Sequence, residues 1–168
     1  MSARAKPRAP LPRSAILRIA LVLACLAGLA SASAHSHLSA STPADGTTVT
    51  AAPIAVELDF TEPVQAAYSL FEALPLPVPF AAGETAPQLS ARVHDLASQL
   101  SDEVLAKKVD AKTRADTGVA PSRGTTDTVD VKLQDGLQAG YYVIVWRVLS
   151  EDGHVTHGVV VFRFRPGT

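Results

Sequence analysis

YYVIVWRVLSEDGHVTHGVVVFRF, residues 141–164, decides the architecture. From Tyr141 to Leu149 nearly every position is apolar, and valine, isoleucine and aromatics dominate. A short run with that enrichment reads as a strand buried on both faces. SEDG, residues 150–153, carries an Asp-Gly turn signal. VTHGVVVFRF, residues 155–164, then reads as the strand that returns beside the first.

Working outward, TVDVKL (128–133) alternates polar and apolar residues, with turns at Asp135-Gly136 and Ala139-Gly140. IAVELDF (54–60) puts Val56, Leu58 and Phe60 on one face, a half-buried strand that Glu62-Pro63 is expected to end. AAYSLFEAL (66–74) reads as a further strand. LPLPVPF (74–80) has prolines at alternate positions, which only polyproline or a sheet edge accommodates. STPADGTTVTAAP (41–53) and TGVAPSRGTTD (117–127) read as loops. One segment differs: PQLSARVHDLASQLSDEVLAKKVDAKTR (87–114) spaces Leu89, Val93, Leu96, Leu100, Val104 and Leu105 as one helical stripe. That stripe is expected to pack on one face of the β domain, a docking surface for a partner being the alternative. Short strands parted by turn signals predict an all-β Greek-key β-sandwich or barrel of about seven strands. The class is immunoglobulin-like or cupredoxin-like, with a helical insertion at about 84–115.

The amino-terminal end reads as an export signal. Arg4, Lys6, Arg8, Arg13 and Arg18 form a basic region, IALVLACLAGLA (19–30) an apolar one, and Ala32-Ser33-Ala34 an A-x-A cleavage pattern. The apolar run is shorter than the roughly 20 residues a bilayer span takes. A retained anchor, or lipidation at Cys25 in VLAC, are the alternative readings. Cleavage after Ala34 makes residues 1–34 a removed signal peptide and 35–168 the mature domain, soluble and periplasmic. That domain keeps ten of the fifteen Lys and Arg and all sixteen Asp and Glu, a formal charge of −6, which argues against a nucleic-acid partner. It holds all five histidines, no cysteine and no methionine, since Cys25 and Met1 lie upstream. Neither a disulfide framework nor a thiolate or thioether metal site is available to it.

Cleavage there makes His35 residue one, with a free amine beside its imidazole. Amine and Nδ1 together close a six-membered chelate ring on a metal. SEDGHVTHG (150–158) supplies further donors at a loop tip: His154 a nitrogen, Asp152 an oxygen. Taken alone, that pair equally reads as an ordinary turn followed by a surface histidine. With His35 the set is three nitrogens and one carboxylate, which suits Cu(II) in a tetragonal array. Zinc remains chemically open.

AHSHLSASTPADGTTVTAAPIAVELDFTEPV (34–64) and AGYYVIVWRVLSEDGHVTHG (139–158) resemble the two halves of the CopC copper-resistance proteins. The first has a histidine at the mature terminus and an S-x-P-A-D/E-G segment, the second the pattern W-R-V-x-S-x-D-x-H. The likeness covers about residues 35–72 and 128–165. It implies a Greek-key β-barrel and a periplasmic Cu(II) site with His35, Asp152 and His154 as ligands. It also implies a CopD-like membrane copper transporter as partner, and a tryptophan, here Trp146, near the copper. Val155 stands where these proteins usually carry proline, and the helical segment is longer than most of them have. Many relatives add a methionine-rich Cu(I) site, for which this chain has no residues, so a Cu(II)-only type is expected.

Other histidines have plainer readings. His-Ser-His, residues 35–37, also fits an amino-terminal wrap of Cu(II) by the amine, two deprotonated amides and His37, in competition with the folded set. His157 reads as a surface side chain and His94 as a solvated helix residue. No G-x-S-x-G, phosphate-loop or zinc-protease signature occurs, and no enzymatic activity is expected. A carrier or buffer of Cu(II) in copper resistance or delivery is the expected function. A histidine-brace copper oxygenase and a metal-free interaction module are the alternatives.

Overall fold

A computed structural model of the protein describes residues 36–79, 81–107, 109–120 and 124–167. The expected signal peptide and His35 lie outside the described residues. Eight strands build two four-stranded sheets. They are β1 (Leu38–Thr42), β2 (Thr47–Val49), β3 (Ala55–Val64), β4 (Leu70–Leu76), β5 (Asp116–Val119), β6 (Thr126–Leu133), β7 (Gly140–Leu149) and β8 (Val155–Phe164). One sheet runs β1-β3-β6-β5 and the other β2-β8-β7-β4, so the chain repeatedly crosses between layers in Greek-key fashion. One helix, α1 (Ala86–Ala106), sits between β4 and β5 in the sequence. Among the described residues no helix is long and apolar enough to cross a membrane.

The period-two pattern places the core between the sheets. Val56, Leu58 and Phe60 from β3 and Val129, Val131 and Leu133 from β6 face Phe71, Ile144, Trp146, Val148, Val160 and Phe162 of the other layer. The alternate residues of β7 and β8 point outward, yet Val143, Val145 and Val161 are as buried as the inner set. They pack against Val93, Ala97 and Val104 of α1, with Leu89, Leu96 and Leu100 at the margin. The helix covers the outer face of the β2-β8-β7-β4 sheet, which is why β7 has lost the alternation of a one-sided strand. The apolar stripe therefore packs on the sheet as expected.

Several elements differ from their sequence readings. The 66–74 stretch begins as a 3-10 turn, Ala66–Tyr68, and becomes a strand only at Leu70. Strand β3 passes Glu62-Pro63 and continues to Val64, its register with β6 shifting between Asp59 and Val64, an irregularity that admits the proline. The supposed loops 41–53 and 117–127 contain β2 and β5, and β1 was not legible at all. α1 stops at Ala106 instead of running to 114. Its start is set locally: Gln88 Oε1 accepts from Thr85 N at 2.9 Å, and Pro87 lies in the first turn. Beyond its end the chain is claimed by the sheets. Ala115 N donates to Ala73 O at 2.7 Å, and Asp116 Oδ2 accepts from Ala73 N at 2.7 Å while its carboxylate pairs with Arg114.

Candidate metal centre

The turn from β7 to β8 is closed by Gly153 N donating to Ser150 O at 3.1 Å and Ser150 N donating to His154 O at 2.9 Å. Gly153 takes φ +87°, a left-handed conformation that glycine adopts without penalty. Inside the turn, the buried Ser150 donates through Oγ to Asp152 Oδ1 at 2.5 Å, and His154 N reaches the same oxygen at 3.2 Å. Asp152 Oδ2 stands 2.6 Å from His154 Nδ1. The two side chains thus meet at the loop tip.

The Ser150 hydroxyl, then the backbone N–H and the ring of His154, hold the Asp152 carboxyl down at about 2, against some desolvation. It is a carboxylate at any physiological pH. The His154 side chain is 55% exposed and that of Asp152 29%, so an ion from solvent has access to both. A nitrogen and an oxygen sharing one proton at 2.6 Å are close to the spacing of neighbouring ligands about 2 Å from one ion. Replacing that proton by a metal asks little of the loop. The pair fits a cation of nitrogen and oxygen preference.

The described terminus is tied alongside this loop. Ser36 is fully buried. Its carbonyl accepts from Thr156 Oγ1 at 2.6 Å, and its hydroxyl donates to Glu62 O at 2.9 Å. His37 N donates to Thr61 Oγ1 at 3.0 Å and its carbonyl accepts from Thr61 N at 2.8 Å. Thr156 is two residues beyond His154. Gln65 ties the end of β3 to the same turn, with its N donating to Leu149 O at 2.8 Å. No group of three or more His, Cys, Asp or Glu that could hold a metal ion is assembled among the described residues.

The remaining histidines fall as follows. His37 and His157 are exposed, His157 opposite Arg147 in the β7–β8 ladder. His94 is less solvated than expected: Nδ1 faces Ser90 O at 2.9 Å and Nε2 faces Asp45 Oδ2 at 3.0 Å. Trp146 is core, edge-on to Phe60 at 5.4 Å between centroids and flat against Gly158, and its buried Nε1 has no acceptor among the described residues. Sequence reasoning passed over Ser36, Thr61, Ser150 and Thr156. Only Ser150 had a signal, its place in the S-x-D-x-H pattern.

A Greek-key β-sandwich carrying an Asp-His pair in its last hairpin is the class these features define. The CopC domain family model matches residues 38–99 and 89–165, and the chain belongs to the CopC family. The matched stretches include Asp152 and His154 but not His35. The fold is that of CopC from Methylosinus trichosporium OB3b, 22% identical, TM-score 0.53, over 80% of this chain and 97% of that one. PcoC, a methionine-rich copper resistance protein from Escherichia coli, is 20% identical with TM-score 0.52, over 79% of this chain and 100% of that one. Its selenomethionine form gives TM-score 0.51 at the same identity, over 77% and 99%. A search of curated proteins gives no match.

Proposed function

We propose that the protein is a Cu(II) carrier or buffer in copper resistance or delivery, exported to the periplasm and cleaved after Ala34. Copper is its cargo, held by the His35 amine and imidazole, Asp152 and His154. The observation that carries this reading is the Asp152–His154 pair at 2.6 Å in the β7–β8 turn. Supporting it, Ser36 and His37 are fastened to Thr156, two residues beyond His154, and to Thr61. PcoC is described as methionine-rich, whereas the sole methionine here is Met1. Without soft ligands the domain has no means of favouring Cu(I), and the nitrogen-oxygen set selects the divalent ion. Such a protein binds and releases and has no reaction to catalyse. A CopD-like membrane transporter is the proposed recipient.

The test is Cu(II) electron paramagnetic resonance on protein beginning at His35, beside its His154→Ala variant. A single tetragonal three-nitrogen signal that changes in the variant is expected, with affinity reduced at least about 100-fold when the imidazole is lost. Binding should also weaken as pH falls from about 8 to 5, where the amine and imidazoles take up protons. Identical signals in parent and variant would remove His154 from the site.

A further inference from the structure

The fastening of residues 36–37 bears on which of two copper sites the terminus can form. In the amino-terminal wrap, the amide nitrogens of Ser36 and His37 each release a proton to solvent and bind Cu(II), together with the amine and the His37 ring. In the folded protein the His37 amide is already donating to Thr61 Oγ1 at 3.0 Å. The Ser36 carbonyl is held by Thr156 Oγ1 at 2.6 Å, and its side chain, fully buried, by Glu62 O at 2.9 Å. These bonds fasten the dipeptide just before β1, where the His37 carbonyl accepts from Thr61 N at 2.8 Å. The wrap needs the same dipeptide turned around an ion with the His37 N–H lost, so the bond to Thr61 Oγ1 is incompatible with it and the carbonyl bonds resist the turn.

We infer that Thr61 and Thr156 are positioning residues that select the coordination mode. They hold Ser36 and His37 in place and withhold the His37 amide from the metal, which disfavours the wrap relative to the folded mode. Neither threonine touches copper. The inference rests on the copper site proposed above and deepens it: the same three-residue terminus binds in two ways, and two hydroxyls, one from each sheet, decide between them. Thr156 acts through the Ser36 carbonyl and Thr61 through the His37 amide, so loss of both should matter more than loss of either.

The experiment uses proteins beginning at His35, each loaded with one equivalent of Cu(II). They are the parent, its His37→Ala variant, Thr156→Ser, Thr156→Val, the Thr61→Val/Thr156→Val double variant, and that double variant with His37→Ala. Visible absorption, electron paramagnetic resonance and affinity are read, with circular dichroism of the metal-free proteins to report folding. The parent and Thr156→Ser should share one mixed nitrogen-oxygen signal. The double variant should move toward a four-nitrogen, square-planar signal with a shorter-wavelength d–d band. It should bind in the folded mode about tenfold more weakly, and His37→Ala should abolish the new signal. A folded double variant that keeps the parent's signal and affinity overturns the inference and leaves the copper site standing. A parent that already gives the four-nitrogen signal, lost on His37→Ala, overturns both. Hydrogen exchange at the His37 amide of the unmutated protein serves if the variants do not fold. Protection that persists after copper is added supports the inference, and protection lost on adding copper overturns it.

Discussion

Ser150 shows how much of the candidate centre is made by one residue that does not itself bind. It is buried, its N–H and carbonyl close the turn, and its hydroxyl fixes one oxygen of Asp152 while the other faces His154. Replacing Ser150 by alanine should weaken Cu(II) binding about tenfold by leaving the carboxylate unoriented. It should also let the Asp152 carboxyl rise from about 2 toward the ordinary carboxylate value, because the hydroxyl bond is the largest cause of its depression. The sign of the linkage follows: the depressed group stabilises the fold above its unfolded value, about 3.9, and that contribution disappears as pH falls through the folded value. Carboxyl NMR titration of the two proteins checks both parts, and an unmoved Asp152 would mean that the His154 contacts suffice. Gly158 makes a second residue-scale case. A methyl group there would sit 2.6 Å from Trp146 Cζ2, closer than carbon atoms pack, and the ring is itself edge-on to Phe60. Gly158→Ala should cost about 1–3 kcal/mol, as overpacking does, and shift the tryptophan emission. Denaturant unfolding followed by fluorescence reads both.

At the scale of elements, α1 is held by apolar contact along its length and by one charged clasp near its start. His94 has an acceptor at each ring nitrogen, Ser90 O and Asp45 Oδ2, and only the imidazolium donates through both. The Ser90 carbonyl first, and then the Asp45 carboxylate, push its pKa above the ordinary histidine value, against partial burial. Asp45 is itself anchored, since its Oδ1 accepts from Val161 N at 2.8 Å. A raised folded value means that the clasp contributes fully below about pH 6.5 and is lost as pH climbs through the raised value. Both partners are substantially exposed, so solvent screening keeps the effect small. Thermal unfolding of the parent should therefore slip slightly between pH 6 and 8, and the slope should vanish in His94→Gln; an equal slope in both would assign it to other groups. The same elements show what a sequence discloses. β7 and β8 were readable because tertiary burial made them continuous apolar runs. β1, β2 and β5 were not, because LSAST, TTV and DTGV are short edge strands with one large apolar residue each, too few to set a period. Their strand state comes from the ladders beside them. Asp152 and His154 were legible as a pair, while the threonines that fasten Ser36 and His37 were invisible, since their partners lie 120 and 24 positions away.

For the whole molecule, the helix is the feature whose removal tests how the layers depend on one another. A two-sheet sandwich normally turns the outer face of each sheet to water, and its strands alternate accordingly. Here the β2-β8-β7-β4 sheet has an outer face of Val143, Val145 and Val161 that α1 covers, with Leu74 and Leu76 of β4 in the same cluster. Fully burying each such side chain contributes about 1.5–3 kcal/mol, so the helix is a third layer in energetic terms. Excising residues 81–109 with a short linker should not yield a smaller stable sandwich. It should expose one contiguous apolar patch, raise dye binding and drive association. Changing Val143, Val145 and Val161 to threonine in the excised protein should restore a monomer, because threonine keeps the β-branched shape that strands favour while tolerating water. The copper signal should return with it, since none of these positions belongs to the β7–β8 turn. Sedimentation and Cu(II) titration of the two excised proteins decide the matter. A monomeric, copper-competent excised protein that still carries its valines would show that the sheet needs no third layer.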